Sequence, residues 1–200
     1  MEYPSFYDEA PCIIMYDPLA DFLGAIPGGR VEYRYIDVVK LAGHSCPTTA
    51  GAFLMVAKGL TALYQDQVPE RGAISAALRA DRTDGATGVA AKIVCLITGA
   101  AQDDGFKGLG GRFDRRNLLS FGAAIPGDLR LTRLDTKREV DLRFVSSVVP
   151  APRDFGNQIQ RALSNDATDQ ERKMFVASWQ ERVRRILVDQ HANPDLVVIS

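Results

Sequence analysis

The segment GHSCPTTAGAFLMVAKGLTALY, residues 43–64, joins a short polar turn to a long apolar segment. From Thr48 to Tyr64, apolar and small residues recur at the spacing of one helical face. Pro47 suits the first position of a helix, because the N–H that it lacks would have no partner there and its φ is already fixed. The sequence therefore predicts a helix over residues 48–64 with Cys46 as its N-cap.

The turn before this helix carries an imidazole and a thiol two residues apart, on His44 and Cys46. A thiol at an N-cap faces unpaired backbone N–H groups and the positive end of the helix dipole, which favour the thiolate. Imidazole and thiolate are both ligands of zinc and related transition metals. We therefore take His44 and Cys46 as candidate metal ligands and candidate catalytic residues. Two ligands predict an open site, whose other positions are filled by water, substrate, a carboxylate or another subunit.

Two other interpretations of the same pair stay open. His44 and Cys46 also suit a nucleophile and its base that work without a metal. Alternatively, Cys46 is an inert buried thiol and His44 an ordinary turn histidine.

The composition excludes several classes of protein. A chain of 200 residues, 46% hydrophobic and 24% charged, is an ordinary globular protein of one domain or one domain with a small appendage. Its net charge of −1 gives no general attraction to nucleic acid or to an anionic membrane, so we expect neither partner. The amino terminus lacks the pattern of a signal peptide, and three cysteines in separate contexts suit a reducing compartment, so we expect a cytoplasmic protein.

The remaining pattern predicts an α+β fold, with a mixed or antiparallel sheet, packed helices and a C-terminal helical extension. We expect an α+β core at residues 1–149 and a helical extension, packed on that core, at residues 150–200. Three successive strands between residues 118 and 149 predict an antiparallel meander. The expected strands are 12–16, 31–35, 73–79, 118–124, 129–134, 140–149 and 196–199, and the expected helices are 18–24, 48–64, 86–98 and one that follows the capping box at Thr168.

A glycine-rich loop with several cations, GFKGLGGRFDRRN, spans residues 105–117. Its four glycines between 105 and 111 favour neither helix nor strand, and bare N–H groups beside cations can hold a carboxylate or a phosphate. We take Lys107, Arg112 and Asn117 as candidate binding residues for an anionic small molecule. The alternative is a surface loop with solvated charges.

With these residues in view, the chain resembles the FmdE family, which is named for a component of formylmethanofuran dehydrogenase. The resemblance rests on residues 43–47 and the helix after them, on Thr98-Gly99, and on Arg116-Asn117-Leu118, and it covers roughly residues 15–145. It implies an α+β core that forms a homodimer, with the His-Cys turn lining a candidate active or metal-binding cleft. The chain departs from the family twice: Ala100 stands where many members carry a cysteine, and no cysteine-rich zinc finger follows the core.

These observations lead to one expected function and its alternatives. We expect a protein that binds a metal, zinc first among the candidates, or a small ligand at the His-Cys turn. It would act on or carry an anionic small molecule in association with oxidoreductase metabolism, with an oxidoreductase as a partner. The alternatives are a metal-independent Cys/His enzyme and a non-catalytic accessory subunit.

Overall fold

The computed structural model describes residues 2–200 and shows an α+β fold, as the sequence predicts. Short 3₁₀ turns lie at Ser5–Tyr7 and Ser146–Val148. The helices are α1 (Pro18–Phe22), α2 (Tyr35–Ala42), α3 (Pro47–Tyr64), α4 (Thr87–Thr98), α5 (Phe155–Leu163) and α6 (Asp169–Arg184). The strands are β1 (Ile13–Tyr16), β2 (Arg30–Tyr33), β3 (Ile74–Leu78), β4 (Leu119–Ser120), β5 (Leu129–Arg133), β6 (Glu139–Phe144) and β7 (Val197–Ile199).

The main sheet has five strands in the order β4-β3-β5-β6-β7, and β1 and β2 form a separate antiparallel pair. The pairs β3–β5, β5–β6 and β6–β7 are antiparallel, whereas the pair β3–β4 is parallel. Alternate residues of β3 and β5 are buried, including Ile74, Leu78, Leu129 and Leu131, because one face of the sheet is covered by helices. The sheet is therefore mixed.

Helix α3 forms the centre of the core and lies on β5, β6 and β7. Two glycines allow this close approach. A Cβ added at Gly51 would lie 2.6 Å from Cγ of the Phe144 ring, and one added at Gly59 would lie 2.8 Å from methyl groups of Leu131 and Leu142. The helix backbone therefore rests directly on side chains of the sheet. Helix α4 packs beside α3, and α2 packs against both.

Helix α2 was not predicted from the sequence. A strand was expected to run through Tyr35, but the strand ends at Tyr33 and Tyr35 begins a helix. A carboxylate oxygen of Asp37 accepts the backbone N–H of Arg34 at 2.9 Å, and Gly43, at φ 74°, ends the helix in the left-handed conformation. Both are ordinary helix-boundary signals, at N3 and after the last turn.

Three predictions for the region after residue 118 were wrong. The strand expected over residues 118–124 is reduced to Leu119–Ser120, because Gly122 takes a positive φ of 65° and turns the chain away. The antiparallel meander is also wrong for this strand, since β4 pairs in parallel with β3 and does not neighbour β5. The predicted strand 140–149 ends at Phe144.

The C-terminal segment forms a helical hairpin and then returns to the sheet. The capping box is present, with the Thr168 hydroxyl accepting the N–H of Glu171 at 3.2 Å. Helix α6 continues as one turn of π-helix at Arg185–Asp189, and β7 then pairs with β6. The division of the chain at residue 149 stays a prediction. None of the helices in residues 2–200 combines the length and the apolar character needed to cross a membrane.

We expect Gly51→Ala to lower the free energy of unfolding by about 1–3 kcal/mol, because the added methyl group overlaps the Phe144 ring. This loss exceeds the gain of at most about 1 kcal/mol from the better helix propensity of alanine. Gly156→Ala in α5 is the control, since a Cβ there meets no atom within 4 Å and should leave stability unchanged or raise it. Urea unfolding followed by circular dichroism measures both, and an unaltered Gly51→Ala midpoint would show that α3 is not held against Phe144.

Candidate functional site

Cys46 is the N-cap of α3, as the sequence predicts. Its Sγ accepts the backbone N–H of Thr49 at 3.4 Å, and the Thr49 hydroxyl accepts the backbone N–H of Cys46 at 3.0 Å. The two residues thus cap each other, and Pro47 fills the first helical position. Cys46 is half-buried, so its sulfur lies near the surface at the positive end of an 18-residue helix.

His44 is exposed on the same turn, and its ring is oriented by the backbone. Nδ1 lies 2.9 Å from the carbonyl oxygen of Ala42. A carbonyl oxygen only accepts, so Nδ1 carries the hydrogen in the neutral ring and the lone pair lies on Nε2. This is the arrangement in which histidines bind metals, because the hydrogen bond fixes the tautomer and the ring orientation. The structure shows no hydrogen bond between His44 and Cys46, so each side chain is held by its own neighbours.

The turn is held from below by three buried hydroxyl groups. The hydroxyl of Tyr35 lies 3.0 Å from Oγ of Ser45 and 2.9 Å from Oγ1 of Thr49. Tyr35 and Thr49 are fully buried, and burial raises the pKa of Tyr35 well above its ordinary value, so the phenol stays protonated. This network fixes the backbone on both sides of Cys46.

The C-terminal segment holds the same turn from outside. Nε1 of Trp179, in α6, donates to the backbone carbonyl of Ser45 at 2.7 Å. Trp179 stacks on Phe155 at a centroid distance of 5.6 Å and contacts Phe175, so the indole is itself fixed by an aromatic cluster. Residues 150–200 therefore contribute directly to the surroundings of the candidate site.

The side chains of His44 and Cys46 are of types that bind zinc, but the turn provides only these two. Among residues 2–200, no group of three or more His, Cys, Asp and Glu side chains lies close enough together to hold a metal ion. Structural zinc sites use four protein ligands and catalytic ones three. Within one chain, His44 and Cys46 can therefore form only an open site that takes further ligands from elsewhere.

The loop residues predicted to bind an anion lie on the surface, and one of them lines a cleft. Lys107, Arg112 and Asn117 are all exposed, and Asn117 adopts a positive φ of 57°. Arg112 lies over the Phe113 ring at 4.7 Å and lines a cleft, whereas Lys107 and Asn117 are not part of that cleft's lining. The binding set stays a prediction.

Sequence reasoning missed a buried ionic cluster of Asp17, Arg71 and Arg115. The Asp17 carboxylate accepts one hydrogen bond from each arginine, both at 2.9 Å, while capping α1 through the N–H groups of Leu19 and Ala20. Burial acts to raise the pKa of Asp17, but the N–H of Ala20 and the two guanidinium groups outweigh it and lower the pKa. Asp17 was recognised only as an N-cap, because partners 54 and 98 residues away leave no local signal.

An apolar cavity of about 320 Å³ lies between the N-terminal halves of α3 and α4 and the sheet. Thr48, Ala52 and Met55 line it from α3, and an ion pair of Arg79 with Asp128 lies on its border. The spacing of the three α3 residues marks one helical face, but sequence periodicity cannot tell a cavity wall from packed core.

The chain matches none of the known protein families and none of the curated proteins with which it was compared. The resemblance to the FmdE family therefore stays a prediction that rests on the quoted motifs.

We expect Asp17→Asn to lower the free energy of unfolding at neutral pH by about 3 kcal/mol, because it leaves the buried Arg115 and the partly buried Arg71 without their carboxylate while keeping a good N-cap residue. The folded-state pKa of Asp17 is lowered, so this stabilisation is complete above its ordinary value and is lost as the pH falls through the lowered value. The difference between the two proteins should therefore shrink in acid.

Urea unfolding between about pH 7 and pH 3 measures this difference. Asp135→Asn is the control, because the Asp135 carboxylate is exposed and its pair with Arg133 should contribute little. A difference that stays constant down to the lowest pH would contradict a charged Asp17 in the folded state.

Proposed function

We propose that the chain binds a transition metal, with zinc as the first candidate, through Cys46 and His44 as an open site. The observation that carries this proposal is the orientation of His44, whose Nδ1 lies 2.9 Å from a backbone carbonyl and leaves Nε2 free, two residues before a half-buried N-cap thiol. One donor is thereby prepared for a metal and the other lies at the positive end of a helix.

The remaining ligands come from outside this pair: water, a bound small molecule or a second copy of the chain. A homodimer is part of this proposal, as is membership of the FmdE family. In a cytoplasmic setting, such a site would act on an anionic small molecule, or would hold the metal or metabolite for an oxidoreductase partner. A bound metal at an open position polarises a carbonyl group or activates water.

A second candidate is a metal-independent enzyme that uses the same pair. The observation that favours it is the lack of any group of three ligating side chains in residues 2–200. Here Cys46 is the nucleophile and His44 the base, with Nε2 as the atom that takes the proton. An accessory subunit without chemistry of its own is the third alternative.

We expect the protein purified without chelator to hold zinc, and Cys46→Ser and His44→Gln each to weaken zinc binding roughly tenfold or more. Serine is a better N-cap than cysteine and keeps the hydrogen bond from Thr49, so Cys46→Ser removes the soft ligand without removing the cap. Cys12→Ser is the matched control, because Cys12 is an exposed thiol on another segment. Metal analysis and competition with a chromogenic chelator give the readout.

Unchanged zinc affinity in both site variants would overturn the metal proposal. The metal-free candidate is then tested by the rate at which iodoacetamide alkylates Cys46. If His44 acts as its base, His44→Gln slows this reaction and Cys12 keeps its rate. Equal rates in wild type and His44→Gln would eliminate that candidate too.

A further inference from the structure

Arg115 is a buried cation with too few hydrogen-bond partners. Its side chain is 5% exposed, and among residues 2–200 its guanidinium group donates a single hydrogen bond, from Nη2 to Asp17. Nε is buried and has no acceptor. A guanidinium group has five N–H donors, and leaving buried donors unpaired is unfavourable. The structure therefore holds donors here that lack an acceptor.

The charge of this buried cluster is also unbalanced. Two guanidinium groups, those of Arg71 and Arg115, share the single carboxylate of Asp17. Burial and the neighbouring Arg71 lower the pKa of Arg115, and Asp17 acts against them without cancelling them. Glu70 and Asp114 line the same cleft as these arginines, but Asp114 is paired with Arg116, and the ion pairs of Arg71 and Arg115 in residues 2–200 are with Asp17 alone.

The two arginines of this cluster lie at the wall of an open cleft. Arg71 and Arg115 line a cleft of about 480 Å³, whose wall also contains Arg112 and Phe113 from the glycine-rich loop. Arg112 lies 4.7 Å from the centre of the Phe113 ring, so its cation is placed at the cleft without an acidic partner among the described ion pairs. Three arginines thus meet at one cleft.

The backbone around Arg115 is shaped to hold its guanidinium group in position. A Cβ added at Gly72 would lie 2.7 Å from Nε, and one added at Gly99 would overlap Nη1. Both glycines have positive φ, 94° and 74°. Arg115 is therefore fixed before any ligand arrives, which reduces the entropy lost on binding.

We propose that this cleft binds the oxyanion group, carboxylate or phosphate, of a small metabolite, with Arg115 and Arg112 as the hydrogen-bond donors. Arg71, which already donates to Asp17 and to the carbonyl of Leu96, adds positive charge beside them. The site shares no residue with the proposed His44–Cys46 centre, so the two proposals can fail separately.

The test is titration of the full-length chain with inorganic phosphate and, separately, with acetate, at an ionic strength held constant with chloride. Isothermal calorimetry measures affinity, and the side-chain N–H signals of arginine in ¹H–¹⁵N spectra report contact with the anion. Arg112→Gln and Lys92→Gln are matched variants, because each removes one exposed cation and only Arg112 lines the cleft. Arg115→Lys keeps the charge and removes the planar fork.

We expect saturable binding of at least one anion, with Kd of about 1 mM or tighter. Arg112→Gln should weaken it roughly tenfold and Lys92→Gln by less than about twofold. If Arg115→Lys does not fold, the comparison of Arg112→Gln with its control still tests the proposal. Equal weakening in both matched variants would mean diffuse attraction, and no saturation by either anion would mean that water alone satisfies Arg115; each result overturns the proposal. Tighter binding of phosphate would identify the ligand's group as a phosphate, and tighter binding of acetate would identify it as a carboxylate.

Discussion

The close packing of α3 on the sheet sets the geometry of the core. Gly51 and Gly59 remove the side chains that would separate the helix from Phe144, Leu131 and Leu142, so the helix axis has one position over β5 and β6. Because Gly51 lies only five residues after Cys46, this contact also fixes where the helix begins. The position of the candidate site therefore follows from packing in the core, and the hydroxyl groups of Tyr35 and Thr49 and the indole of Trp179 refine it.

Much of the fold could be predicted because its signals are local. Pro47 after Cys46, Pro18 after Asp17 and the Thr168 capping box each mark a helix start, and the structure has a helix at all three. Helix α2 was missed because Val31, Tyr33 and Tyr35 alternate as in a strand, and this pattern hid the boundary signals at Asp37 and Gly43. The place of β4 in the sheet could not be predicted, since two paired residues carry almost no pattern and parallel pairing with β3 depends on the whole chain.

The candidate site was predictable in its residue types and not in its contacts. Residues 43–47 indicated an imidazole and a thiol at a helix start. The contact of His44 with the Ala42 carbonyl, which orients the ring, forms only in the folded turn and leaves no signal in the sequence. In the glycine-rich loop the cations look alike in the sequence, yet Arg115 is buried against Asp17 while Lys107 and Arg112 are exposed. The contact of Trp179 with Ser45 joins residues 134 positions apart, beyond the reach of any local pattern.

This last contact has a consequence for the order in which the molecule is completed during synthesis on the ribosome. The turn at residues 43–47 leaves the exit tunnel long before α6 and β7, which cover it and close the sheet. Until α6 has formed and docked, the carbonyl of Ser45 lacks the indole donor that holds it in the finished molecule. The final geometry of the turn beside Cys46 is therefore set only after nearly all of the chain has been synthesised.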